Sequence, residues 1–209
     1  MGWKNYLMEL CEYRTVATTA SVELKIEKSL FIGHAGGANS VQEAQDFISQ
    51  IRSEHAQATH NCYAYVIGWG KNQQVHFHDH GEPSGTAGKP ILGSINRLDL
   101  TNTVVVVTRY FGGRKLGVRG LIDAYARASA AALEAAGVIT RPITREFILE
   151  IDYAHLDMVS YLITQVGGSV SPLTFGEAVT ISAQIPINAT ERVIANLLDK
   201  QLIRKLSEK

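Results

Sequence analysis

The sequence predicts an α+β protein in two parts, an N-terminal domain over residues 1–140 and a smaller C-terminal domain over residues 143–209. Three observations carry that expectation. Thr103-Val104-Val105-Val106-Val107-Thr108 is a β-branched run that reads as a buried strand. Period-two and 3.6-period stretches interleave before Thr140, so strands and helices alternate there. After Thr140-Arg141-Pro142, read as a linker, the pattern becomes βαββαβ, the split βαβ arrangement of ferredoxin-like domains.

Each element has a local reason. Val22 to Glu27 alternates apolar and polar residues, as a half-exposed strand does, and Leu30 to Gly36 reads as a second strand. Ser40 and Glu43 are spaced as a capping box, ahead of an apolar stripe of Val41, Ala44, Phe47, Ile48 and Ile51. Asn61 to Trp69 and Gln74 to His80 read as strands turning at Gly70-Lys71-Asn72. Pro90 suits the first turn of a short helix ending near Leu98. The alanines between Ala124 and Ala132 predict a helix from Leu121 to Ala136, and Gly137 ends it. In the last domain, strands are expected at Glu146–Tyr153, Ser169–Phe175, Ala178–Ile187 and Leu202–Leu206, with helices at Leu156–Val166 and Ala189–Leu198.

The valine run is flanked by two glycine-rich loops. The first, Asp79 to Pro90, contains Glu82, Ser84, Thr86, Gly88 and Lys89. The second, Arg109 to Gly120, contains Gly112, Gly113, Arg114, Lys115, Gly117 and Arg119. Glycine loses extra backbone entropy on folding, so such loops point to tight turns or close approach to a partner. The second loop leads into a helix, whose first N–H groups are unpaired and electropositive. With Arg114, Lys115 and Arg119 beside it, and Lys89 opposite, an anion would find both backbone and side-chain donors, and phosphate is the natural candidate. Neither loop is a P-loop: Gly117 is followed by Val118-Arg119, Gly88-Lys89 is followed by Pro90, and Pro83 stands where the first glycine belongs. The dinucleotide fingerprint fails as well.

Charge and composition narrow the classes. At 45% hydrophobic and 19% charged, with formal net charge zero, the chain is globular and not a general polycation. The charge is uneven, because residues 89–127 carry seven basic residues against Asp99 and Asp123. The last domain has an acidic balance. Two cysteines, Cys11 and Cys62, make neither a disulfide framework nor a zinc site, which fits a reduced cytoplasmic home. Residues 1–9 have no apolar leader pattern, and no stretch of 18 apolar residues predicts a membrane span.

Other candidate residues keep two readings each. His76, His78 and His80 share a strand face but are about 7 Å apart in sequence, too spread for one tetrahedral ion, so no metal or other cofactor is expected. Asp79 and Glu82 are either an acid/base pair or loop-shaping groups that bind local N–H groups, Arg109 or Lys89. Ser84 and Thr86 divide the same way. Cys62 is a nucleophile beside His60 or a small core residue, and the second reading is preferred. Tyr110-Phe111 either stacks nucleic-acid bases or belongs to the core.

Asp79-His80-Gly81-Glu82-Pro83-Ser84-Gly85-Thr86-Ala87-Gly88-Lys89-Pro90 and Arg109-Tyr110-Phe111-Gly112-Gly113-Arg114-Lys115-Leu116-Gly117 closely resemble the IMPACT/YigZ family. Phe31-Ile32-Gly33-His34 and His60-Asn61-Cys62 are similar to it too. The resemblance spans the chain. It implies an N-terminal two-layer βαβ domain like a small-subunit ribosomal protein, and a ferredoxin-like domain similar to the last domain of elongation factor G. It also implies a link to translation, since eukaryotic members interfere with activation of the starvation-responsive initiation-factor kinase. For bacterial members nucleic-acid binding is proposed from fold and surface. The family supplies no catalytic residues. Two departures stand out: His80 replaces the second acidic residue of the usual Asp-Asp-Gly-Glu-Pro, and Arg119 replaces the first glycine of a pair before the helix. The leading expectation is therefore a non-enzymatic, translation-linked protein whose basic loop, with Lys89, Arg109, Arg114, Lys115 and Arg119, contacts RNA or ribosomal phosphate. The alternative is an enzyme holding a small phosphorylated or carboxylated ligand between the loops. A third reading is protein interaction through the C-terminal domain.

Overall fold

The computed structural model describes residues 11–208, so the leader reading of residues 1–9 lies outside the described residues. The chain forms two compact units, one of Tyr13–Thr140 and one that begins at Arg141 and also takes in Cys11 and Glu12. Strand β1 (Glu12–Val16) pairs with β7 (Val138–Pro142) as a two-stranded ribbon. The expected linker is thus strand at this point. Val138, Ile139 and Thr140 are β-branched and favour extended backbone, which outweighs the breaking tendency of Pro142 at the strand's end.

The first unit is built on five antiparallel strands in the order β2-β3-β6-β4-β5. They are β2 (Ala20–Ile26), β3 (Ser29–Gly37), β4 (His60–Ile67), β5 (Gln74–His78) and β6 (Thr103–Tyr110). Helix α1 (Val41–Glu54) covers one face; α2 (Gly88–Arg97) and α3 (Gly117–Ala136) cover the other. The valine run is the middle strand, and alternate residues point to opposite faces. Val105 and Val107 join the core under α2 and α3, while Val104 and Val106 join the core under α1. That double burial explains the unbroken hydrophobicity: a strand with one wet face would alternate. The α+β class stands, with helices on both faces of this sheet.

Local signals act largely as expected. The Glu43 N–H donates to Ser40 Oγ at 3.1 Å, and Glu43 Oε2 accepts from the Asn39 N–H at 2.8 Å. The return arm of the capping box thus reaches one residue further back than usual. Gly137, at φ 67°, closes α3 with its N–H on Glu134 O. Helix α3 begins four residues before the expected Leu121, so Arg119 and Gly120 are helical. Its amino end starts from Leu116 without a side-chain cap.

The second unit is a four-stranded antiparallel sheet in the order β11-β8-β10-β9, the ferredoxin-like arrangement. Its elements are β8 (Thr144–Ile151), α4 (Leu156–Thr164), β9 (Ser169–Phe175), β10 (Val179–Pro186), α5 (Thr190–Asp199) and β11 (Lys205–Glu208). Phe147, Leu149 and Ile151 alternate inward from β8 and meet Ile181, Ala183 and Ile185 of β10 in its core. Among the described residues no helix is long and apolar enough to cross a membrane.

Gly33 lets α3 lie close on the sheet. A Cβ there would sit 2.3 Å from the Ala128 carbonyl oxygen. Gly93 in α2 has nothing within 4 Å of the same position. Gly33→Ala is therefore expected to destabilise by about 3 kcal/mol, the upper end of overpacking costs. Gly93→Ala is expected to stabilise by about 0.5–1 kcal/mol through helix propensity. Urea unfolding of both variants checks the opposite signs.

Candidate functional site

Strand register assembles the site before any loop contributes. Across β3, β6 and β4, Phe31, Arg109 and His60 stand side by side, with Cys62 opposite Val107 one step along. Arg109 is 4% exposed, so its charge requires a partner inside the fold. The first glycine loop delivers it: Arg109 Nη1 donates to Glu82 Oε1 at 2.6 Å. The Tyr125 hydroxyl of α3 donates to the same oxygen at 2.8 Å, and His60 Nε2 lies 3.8 Å from it. His60 Nδ1 donates to the His80 carbonyl at 2.8 Å, which fixes its tautomer. Burial pushes the Tyr125 phenol well up, and pushes the Cys62 thiol up to about 12. Cys62 is wholly buried and its S–H donates to the Asp79 carbonyl. It is a core residue, not an activated nucleophile.

Asp79 shapes the first loop. One carboxylate oxygen accepts from the Gly85 N–H at 2.8 Å; the other accepts from Ala87 at 3.0 Å and Gly88 at 2.8 Å. The last two donors open α2, so the carboxylate also matches that helix's positive end. Burial works to raise the Asp79 pKa, but the three backbone bonds outweigh it and hold the carboxyl below its ordinary value of 3.8. Thr86 donates to Pro83 O, while Ser84 is exposed. His80, at φ 42°, accepts from the Asn61 N–H at 3.1 Å through Nδ1. The departure from a second acid therefore supplies an acceptor that ties the loop to β4. His76 and His78 rest on the rings of Tyr63 and Tyr65. Among the described residues no three metal-ligating side chains gather as a metal site.

The second loop is fixed where Gly112 passes β3's turn. A Cβ on Gly112 would fall 1.6 Å from the Lys28 carbonyl oxygen, so no other residue fits. Gly113 and Gly117 take positive φ, 87° and 70°, and Gly120 lies against Leu116 in the first turn of α3. Both loops then line one cleft of about 450 Å³, bounded by His60, Glu82, Arg109, Phe111, Lys115 and the amino end of α3 at Gly117 and Val118.

The basic residues fall into four kinds. Lys115 is exposed on the cleft wall, and Arg119 is exposed on the first turn of α3. Arg114 is exposed but held by Glu27 at 2.6 Å. Arg109 corrects the expectation of a surface contact: it is buried, and Glu82 already matches its charge. Lys89 is exposed on α2 and does not line the cleft, so its expected place opposite the basic loop is also corrected. Thr59 and Tyr125 are site residues that the sequence reading misses, and His60 enters it only as a neighbour of Cys62. The His60-Asn61-Cys62 stretch signals His60 alone, because the contacts that matter span three strands and a helix.

The matches to known proteins fall on these same segments. Residues 27–133, which contain both loops and the strand between them, match the model of the Impact N-terminal domain. The chain belongs to the IMPACT family. It is 45% identical over 150 residues to the IMPACT family member YvyE of Bacillus subtilis, covering 72% of this chain and 69% of that one. It is 32% identical over 184 residues to the IMPACT family member YigZ of Escherichia coli, covering 88% and 90%. A crystal structure described only as that of a hypothetical protein is similar over 95% of this chain and 97% of its own, at 30% identity and a TM-score of 0.70.

Glu82→Ala leaves Arg109 buried without its counter-charge and is expected to cost about 3–5 kcal/mol. Glu82→Gln with Arg109→Met is expected to recover much of that loss, measured by chemical denaturation. Asp79 has a depressed folded pKa, so its bonds stabilise above pH 3.8 and are lost as pH falls through the folded value. Asp79→Asn is expected to cost about 1.5–3 kcal/mol at pH 7 and to flatten the acid limb of a stability–pH curve below pH 3.8.

Proposed function

We propose that this IMPACT-family chain is a cytoplasmic, translation-linked regulator that binds RNA or ribosomal phosphate at the cleft between its two glycine loops. The observation that carries the reading is the uncapped amino end of α3 beside exposed Lys115, on a cleft whose floor holds a buried arginine, with exposed Arg119 in the helix's first turn. A 20-residue helix presents several unpaired N–H groups and positive partial charge at that end. Lys115 and Arg119 add full charges, and among the described residues neither forms an ion pair. Family membership supports the link to translation.

The wild type is expected to bind RNA with affinity that falls steeply with salt. Lys115→Ala/Arg119→Ala should reduce the slope of log affinity against log salt by about two, one for each phosphate contact removed. Equal and salt-insensitive binding by both proteins would sink the reading.

A second reading has its own observation. The cleft is large enough for a small molecule and has Arg109 and His60 on its wall, which favours a phosphorylated or carboxylated metabolite. Asp79 and Glu82 are both committed to structure, so this reading now makes the cleft a binding site and gives neither carboxylate a proton-transfer role. A metabolite that raises the unfolding temperature of the wild type but not of Lys115→Ala would favour it over RNA.

A further inference from the structure

Phe111 has no part in a purely electrostatic site, yet it stands on the cleft wall with 45% of its surface exposed. An exposed phenyl ring loses the stabilisation that burial would give it. This one is nevertheless held in place. Its N–H donates to Thr59 Oγ1 at 3.1 Å, and the next N–H, of Gly112, donates to Ser29 Oγ at 3.3 Å. Gly112 in turn is wedged under the Lys28 carbonyl, where not even a methyl group fits. The ring is therefore displayed from a rigid backbone. The Arg109 guanidinium carbon lies 5.3 Å from its centroid and 5.3 Å from that of Phe31, within cation–π range of both. Arg109 Nε is buried and has no hydrogen-bond partner, although the residue faces the cleft. An unpaired buried donor of that kind is a feature that a ligand can satisfy.

Beside this aromatic surface are Lys115 and the N–H groups at Gly117 and Val118. A flat apolar face next to an anion seat matches one nucleotide, whose base has a π-face and whose phosphate is an anion. The cleft volume of about 450 Å³ is of single-ligand size. We propose that the cleft takes one unpaired nucleotide of single-stranded RNA, its base stacked on Phe111 and its phosphate at Lys115 and the amino end of α3. Duplex RNA keeps its bases stacked on one another and offers no free face to a side chain. The inference rests on the phosphate reading above and adds to it a preference for single strands.

The test is fluorescence anisotropy with a labelled 12-nucleotide oligoadenylate and a 12-base-pair RNA duplex across a salt series, read for the wild type, Phe111→Ala, Phe111→Leu and Lys115→Ala. The wild type is expected to prefer the single strand. Phe111→Ala is expected to weaken single-strand binding about tenfold, within the range for losing one base–aromatic stack, with the salt slope and duplex binding unchanged. Phe111→Leu, which keeps apolar volume but not a flat ring, is expected to weaken it as well. Lys115→Ala is expected to lower the salt slope by about one. If single strand and duplex bind equally, or if both Phe111 variants bind the single strand as the wild type does, the stacking inference is overturned; a retained effect of Lys115→Ala then leaves the phosphate reading standing. If the wild type binds neither RNA, or binds without salt dependence, both fall.

Discussion

Arg109 and Glu82 leave water together, and the first unit is arranged around that fact. An isolated charge in the interior costs several kcal/mol, so each residue holds the other in place. Arg109 comes from the end of the central strand and Glu82 from the loop after β5. Their contact therefore ties together two segments that stand well apart in sequence and lie on either side of β4 in the sheet. Tyr125 adds a third element, α3, through the same carboxylate oxygen. A buried pair of this kind is weak grounds for overall stability, since apolar residues often replace such pairs at no loss. What it contributes here is position. The pairing holds the first loop against the end of β6, where the second loop begins.

The same economy runs through the first loop. Asp79 absorbs three N–H groups that a glycine-rich turn would otherwise leave to water, and its backbone carbonyl takes the Cys62 thiol. His60 and His80 bond across the β4 edge, loop carbonyl to ring and ring to strand N–H. Polar groups that resemble catalytic machinery in sequence, two carboxylates, a thiol and two histidines, are thus largely consumed in making the loop rigid. Rigidity has a functional meaning, because a preorganised site loses less entropy when it binds.

Most of the secondary structure could be read from the sequence because its signals are local. The Ser40 cap, the valine run, the alanine-rich helix and Gly137 each act within a few residues. The exceptions have physical causes. The amino end of α3 lies at Gly117 and not at Leu121, because a positive-φ glycine can precede the first turn and neither Arg119 nor Gly120 forbids helix. The Thr140-Arg141-Pro142 stretch reads as a linker by composition, yet pairs with a strand more than a hundred residues away. The site itself was half visible. Glycine positions and charges marked both loops, and the alternatives for Asp79 and Glu82 included the roles they hold. Which arginine is buried could not be read locally. Arg109 is the last inward-facing residue of β6, and only the register with Phe31 and His60 shows that it turns under the loop and not out to solvent.

That distinction decides the chemistry left to the cleft. If Glu82 were free of Arg109, the site would hold a mobile carboxylate, and acid–base catalysis would be a natural reading. In the fold Glu82 is instead engaged by Arg109, and Tyr125 donates to the same oxygen. The remaining unmatched features are electropositive: an uncapped helix end, Lys115, Arg119 and one orphan guanidinium N–H. Unmatched positive charge of this kind favours an anion electrostatically. On the phosphate reading proposed above, the carboxylates act as structure: they are already occupied and hold the cleft walls in place.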